Sequence, residues 1–275
     1  MKQNSVNDSE RYFIPKVEEY FSEFVEFYGG KVIDKLDGNL ADRPNADYLF
    51  ENPELIAELK CFEKDIFSGK DEFPKMERLL TKWTNKKMIT DAQLRAYTFR
   101  GAPLPIECRK DMVQVASKTI ERAIHKGNKQ IEVSKSTFEK PNSNGVLFLV
   151  NDGNYFFTNE HFLGIISNIL GRKYRNPSFD VIVYLTINQT SQIQKSPYDY
   201  TVWVPIYTRI DENGETIKDE KLFYFINDVG RKFADFYELK SGENIKDKRE
   251  FSDTEKGIEE IKKHKYIPKK IIYGK

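Results

Sequence analysis

Three charged residues in the stretch NADYLFENPELIAELKC, residues 45–61, are of types that could do chemistry together: Asp47, Glu58 and Lys60. The apolar runs on either side of Asn52-Pro53 predict two short strands joined by a tight turn. A hairpin centred between Asn52 and Pro53 sets Asp47 directly opposite Glu58, with both side chains on one face. Carboxylates at opposed positions, with Cβ atoms about 5 Å apart, repel one another unless something bridges them, and a divalent cation is the natural bridge. Lys60 shares that face by the two-residue period of a strand, while Leu55, Ala57 and Leu59 point the other way into a core. This register is an inference, because Pro53 does not suit the commonest two-residue turns and a slip of one residue would break the pairing.

The chemistry these residue types permit is phosphodiester hydrolysis, which needs a nucleophilic hydroxide and a counter-charge for the transition state. Hard oxygen ligands with one or two Mg²⁺ ions supply both. A plainer alternative is a surface hairpin with a Glu–Lys ion pair worth no more than about 1 kcal/mol. The flanking apolar residues argue against that exposure, and burying three charges without a ligand would cost several kcal/mol per ion. Glu-x-Lys also occurs at Glu238-Leu239-Lys240 and Glu260-Ile261-Lys262. Both of those segments read as helix, where residues two apart do not share a face. His125, His161 and His264 have neither metal nor triad spacing and read as surface or core residues.

The elements that must position the trio follow from periodicity. Val17, Tyr20, Phe21, Phe24 and Tyr28 recur at helical spacing and Gly29-Gly30 stops the run, so an amphipathic helix precedes the site. Residues 31–36 read as a strand closed by the turn Asp37-Gly38-Asn39. Residues 62–110 read as an irregular insertion with a helix around Met76–Lys86 and a Pro-bearing loop at 99–107. A second strong helix is predicted over Asp111–Ile131, with Val113, Ala116, Ile120, Ala123 and Ile124 toward the core and Lys118, Arg122, Lys126 and Lys129 opposite. GVLFLV, residues 145–150, is a continuous apolar run of the kind buried on both faces, ended by Asn151-Asp152-Gly153. Beyond it come a helix near His161–Leu170, strands at Phe179–Ile187 and Tyr200–Thr208, a turn at 211–214, the aromatic segment KLFYFIN and a lysine-rich, mostly helical tail.

This order of elements, with Asp47 and Glu58-Leu59-Lys60 on the hairpin, resembles the PD-(D/E)XK nuclease superfamily of restriction endonucleases and Holliday-junction resolvases over roughly residues 11–150. Pro44 is separated from the acid by Asn45 and Ala46, a departure from the family's usual dipeptide. The resemblance implies an α/β fold, a mixed central β-sheet flanked by helices, over residues 1–188, with a β-rich and helical C-terminal extension at 189–275. It makes Asp47, Glu58 and the Leu59 carbonyl metal ligands, and Lys60 the group that orients or activates the attacking water. Glu18, eleven residues before Gly29, matches the helix glutamate of resolvase-type members as an extra metal ligand. Gln130 resembles a polar residue by which some members touch the site. The implied activity is that of a DNA endonuclease using Mg²⁺, or Mn²⁺ as a substitute, in restriction or anti-phage defence. The rival readings are a nucleic-acid-binding or assembly module without activity, and the same chemistry on RNA.

The totals fit a globular chain. Of 275 residues, 39% are hydrophobic, and no apolar run approaches the ~18 residues of a membrane span. The polar opening MKQNSVNDSE has no apolar signal-peptide core, and two cysteines, Cys61 and Cys108, provide no disulfide framework; both observations fit a cytoplasmic protein. The net charge of +1 is unevenly spread, with 6 Lys/Arg against 13 Asp/Glu over residues 1–59 and 16 against 9 over 60–130. An acidic segment able to gather cations is thus followed by a basic one able to hold a polyanion, and Lys118, Arg122, Lys126 and Lys129 are the expected phosphate contacts. Solvated helix faces give the same pattern. Trp203, Tyr207, Phe223 and Tyr224 could form a homodimer surface, a target-recognition surface or core, with core expected.

Overall fold

In the computed structural model the chain is α/β, built on a mixed six-stranded sheet. The described residues are 12–36, 44–63, 67, 73–154, 158–193, 196–211, 216–217, 219–248 and the backbone of 261–266. Helix α1 (Val17–Tyr28) is followed by β1 (Lys31–Val32), a 3₁₀ turn (Ile33–Lys35), β2 (Tyr48–Phe50) and β3 (Leu55–Phe62). Then come α2 (Phe73–Asn85), α3 (Asp91–Arg100), α4 (Ile106–Thr137), β4 (Asn144–Asp152) and α5 (Asn159–Lys173). The remainder is β5 (Val181–Ile187), β6 (Gln189–Ile193), β7 (Asp199–Tyr200), β8 (Trp203–Tyr207), α6 (Glu220–Ser241) and β9 (Ile261–Tyr266).

The strand order is β1-β2-β3-β4-β5-β8, with β3, β4 and β5 parallel and the outer pairs antiparallel. Every residue of GVLFLV is buried, as the central place of β4 demands. On one face Ala57, Leu59, Phe148, Val150 and Val183 form a core with Val17, Phe21 and Phe24 of α1 and Phe225, Val229 and Phe236 of α6. Aromatic edges close that layer: the Phe24 ring meets Phe233 at 5.0 Å and 89°, a favourable edge-to-face geometry. A smaller sheet, β7-β6-β9, follows from β5 through Asn188, which adopts a left-handed backbone (φ 57°) that asparagine tolerates.

The described chain forms two compact units: residues 1–63, 127–153 and 174–275, and residues 64–126 with 154–173. The residues of the expected C-terminal extension, 189–275, fall in the first unit, where β8 pairs with β5 and α6 joins the main core. The first part of α4 lies in the second unit and its last turns in the first.

Several expected elements are corrected. The strand at 31–36 stops at Val32, because Ile33 turns its amide to the Asp47 carbonyl at 2.8 Å and the chain enters the 3₁₀ turn. The insertion is largely helical; α3 is a full helix with a capping box of Thr90 and Gln93 at its start and a left-handed Gly101 (φ 64°) at its end. The aromatic segment KLFYFIN lies inside α6, which Asp219 caps through the amides of Lys221 and Leu222. Val113 is 39% exposed where a core residue was expected, whereas Ala116, Ile120 and Ile124 are buried. Tyr224 is 66% exposed, so it is surface; Trp203 packs on Phe148 and Phe233, and Tyr207 on Phe223. The turns at 37–39 and 212–214 lie outside the described residues.

Candidate active site

The register that places the acids together is the one the sequence predicts. Tyr48 pairs with Ala57, Leu49 with Ile56 and Phe50 with Leu55, so the next pair outward is Asp47 and Glu58. Asp47 stands just before β2, where the ladder has ended. Across that gap the Leu59 amide donates to Asp47 Oδ2 at 2.8 Å. The amide and carbonyl of one strand residue point to the same side, so the Leu59 carbonyl is turned toward the same opening.

Glu58 is fully buried, on the sheet face opposite the aromatic core. Its Oε1 accepts from Lys60 Nζ, whose side chain is 17% exposed. Its Oε2 meets no donor. Burial, and next the negative charge of Asp47, push the Glu58 carboxyl up to about 8, with Lys60 opposing. Asp47 is also raised by burial, opposed by the Leu59 amide and Lys60. The two acids act on each other, the charge of Asp47 raising the Glu58 carboxyl. This is the coupled, like-charged pair that either a shared proton or a cation must neutralise.

Helix α4 fixes the backbone that carries Asp47. Gln130 Nε2 donates to the Asn45 carbonyl at 2.9 Å, and the Ala46 amide donates to Ser134 Oγ at 2.7 Å. Gln130 and Ser134, one turn apart, therefore clamp two consecutive residues. Close packing of α4 on the sheet needs Gly127: an added Cβ would lie 2.6 Å from Leu147 Cδ1 and 3.5 Å from Glu58 Cγ. A glycine inside a strong helix is a sequence signal of close packing, and it went unread at Gly127; Ser134, beyond the expected end of the helix at Ile131, carries no such signal.

The predicted residues are thus distributed unevenly. Asp47, Glu58, Leu59 and Lys60 converge. Gln130 reaches the site through the Asn45 backbone, leaving its buried Oε1 without a partner. Glu18 is exposed on α1; its charge raises Asp47, Tyr48 and Cys61, and its side chain bonds to neither acid. Ser22 links the same turn of α1 to the site strand, bonding the Glu18 carbonyl at 2.9 Å and the Tyr48 hydroxyl at 3.2 Å. Lys118, Arg122, Lys126 and Lys129 are all exposed on α4 and make no ion pair among the described residues. His125 and His161 are exposed, and His264 lies in β9 opposite Ser191.

Among the described residues no group of three or more His, Cys, Asp and Glu is gathered as a metal cage. The pair nevertheless fits a hard divalent cation. Its donors are oxygens only, one of them is a buried carboxylate oxygen with no proton donor, and the Leu59 carbonyl faces the same gap. Comparison of the chain with family models, with curated proteins and with solved structures gives no match. No helix among the described residues is long and apolar enough to cross a membrane.

Proposed function

We propose that the chain is a metal-dependent endonuclease that hydrolyses DNA phosphodiester bonds with Mg²⁺, in a setting such as restriction or anti-phage defence. The observation that carries this reading is the opposed Asp47–Glu58 pair, with the orphaned Glu58 Oε2 and Lys60 on the same face. Asp47, Glu58 and the Leu59 carbonyl would hold the ion. When bound, Mg²⁺ supplies a counter-charge for the phosphoryl oxygens and makes a nucleophile available at neutral pH.

The chain's own groups do the rest. The Leu59 amide fixes one oxygen of Asp47 and leaves the other to ligate. Lys60 gives one donor to Glu58 Oε1 and has two more, enough to hold an attacking water and a phosphate oxygen together. Glu18 adds negative charge at the rim, where a second cation would be favoured.

The test is incubation of the purified chain with supercoiled plasmid, linear duplex, branched DNA and RNA, with Mg²⁺, Mn²⁺, Ca²⁺ or chelator. Cleavage of DNA with Mg²⁺ or Mn²⁺, absent with chelator, is expected. Binding without cleavage in every condition would instead leave a nucleic-acid-binding module on this fold, and preferential cleavage of RNA would move the chemistry to that substrate.

A further inference from the structure

The second compact unit contains a largely exposed helix, α3. None of the ten residues of α3, DAQLRAYTFR, is buried. Its ends are nonetheless well made, with the capping box Thr90/Gln93 and the left-handed Gly101, so the helix is held by its own caps. Phe99 is 81% exposed, the most exposed of the large hydrophobic residues described. Arg95 lies one turn before it on the same face and Arg100 adjoins it; both are exposed and neither makes an ion pair among the described residues. The unit around them holds 16 Lys/Arg against 9 Asp/Glu, whereas the sheet unit holds 28 against 34.

An isolated exposed phenylalanine is commonplace. A solvent-facing phenylalanine with one unpaired arginine a turn before it and another next in sequence, on a capped and largely exposed helix in a basic unit, suits a stacked nucleobase and the phosphates beside it. Every base offers a π-face to an aromatic ring, and Arg supplies charge to the adjoining backbone. Bases in an intact duplex are stacked on their neighbours and cannot reach such a ring. We infer that α3 is a binding platform for unpaired nucleotides, with Phe99 stacking on a base and Arg95 and Arg100 holding the phosphates. Unpaired, flipped or branched nucleic acid is the substrate class this face takes. Its place in catalysis rests on the nuclease reading above, but the binding itself does not.

The experiment measures fluorescence anisotropy of labelled 20-mers of oligo-dT, oligo-rU and a duplex, on the full chain with Ca²⁺ and the cleavage-blocking Glu58→Gln change. Tighter binding of the single strands than of the duplex is expected. Phe99→Ala should lose roughly tenfold in affinity for the single strands and little for the duplex. Phe99→Trp should retain binding, and the added indole emission should be quenched by oligo-dT. Because Phe99 itself is exposed, both variants should keep the wild-type melting temperature. The oligo-dT and oligo-rU arms separate DNA from RNA as the source of the unpaired bases. Unchanged single-strand affinity in Phe99→Ala overturns the proposal, as does concentration-dependent dimerisation that this substitution abolishes, which would assign the face to a second copy of the chain. Phe99-dependent binding with no cleavage by the unmodified chain keeps the platform and removes the nuclease; cleavage with Phe99-independent binding does the reverse.

Discussion

The Leu59 amide and the Asp47 carboxylate meet at 2.8 Å across the point where the β2–β3 ladder ends, and this contact aims the first acid at the second. Asp47 is not inside a strand, so nothing in the ladder itself would orient it. The strand that carries Glu58 and Lys60 supplies the donor, and the three groups are thereby fixed relative to one backbone segment.

The Glu58 carboxyl gives the metal-free chain a definite pH dependence. Its ordinary value is 4.5 and burial raises it to about 8, so between these values the folded chain keeps a proton that the unfolded chain has released. Stability is therefore lost as pH rises through this window, by an amount on the order of a few kcal/mol at most. Thermal melts in chelator should show a falling Tm from about pH 5 to about pH 8, and Glu58→Gln should flatten the curve. Added Mg²⁺ should raise Tm at the alkaline end in the wild type and not in the variant.

Glu58→Ala and Lys60→Ala should each reduce DNA cleavage by roughly a hundredfold or more while leaving affinity for DNA within a few-fold of wild type. In the nuclease reading both groups act at the reacting phosphate, whereas affinity would come mainly from phosphate contacts elsewhere. Single-turnover cleavage and binding in Ca²⁺ measure the two quantities separately. Equal cleavage by wild type and Glu58→Ala would overturn the mechanism.

The α4 clamp should be separable from the chemistry. Ser134→Ala leaves the buried Ala46 amide without its acceptor and should cost about 1–3 kcal/mol in urea melts. Gln130→Ala releases the Asn45 carbonyl, and Gln130→Glu, which cannot donate from an ionised carboxylate, should behave alike. If the clamp acts by placing Asp47, these variants need more Mg²⁺ for half-maximal cleavage. A loss of stability with an unchanged Mg²⁺ requirement would make the clamp purely structural.

The exposed stripe of α4 should register in salt titrations. If Lys118, Arg122, Lys126 and Lys129 each neutralise a phosphate, the log-log slope of affinity against salt on duplex DNA is about −0.9 per contact. Lys118→Ala/Arg122→Ala should flatten it by nearly two units and weaken unrelated sequences alike. An unchanged slope would make the stripe a solvated face and shift attention to Lys86 and Lys87, which are also exposed.

The shared face of Glu58 and Lys60 was legible because side chains along a strand alternate with a strict period of two. The pairing Tyr48–Ala57 needed the fold as well, because Pro53 left the turn open to a slip of one residue. The double burial of β4 was legible too: an unbroken apolar run has only one comfortable place in a sheet. What resisted reading was set by contacts distant in sequence. KLFYFIN has aromatic content typical of strands, yet the Asp219 cap and the core positions Leu222, Phe225, Ile226 and Val229 make it helix. Gln130 and Ser134 lie more than eighty residues from the backbone they hold, and local periodicity cannot reveal such partners. Glu18 was placed by its spacing from Gly29, but only the fold sets it at the rim, exposed and acting through its charge.

Helix α6 imposes an order on the making of the molecule. Residues 18–134 hold every group assigned to the hydrolytic site, yet the sheet beneath them is closed on its other face by Leu222, Phe225, Ile226, Val229 and Phe236, near the end of the chain. A ribosome delivers the acids before that cover, so a nascent chain has Asp47 and Glu58 in hand while Phe21 still lacks its ring contact with Phe233, and Phe24 its contacts with Phe233 and Phe236. Until those residues emerge the sheet lacks half of the core that stiffens it, and the hairpin has no rigid bed. The bed of the Asp47–Glu58 hairpin is thus complete only once α6 has been made.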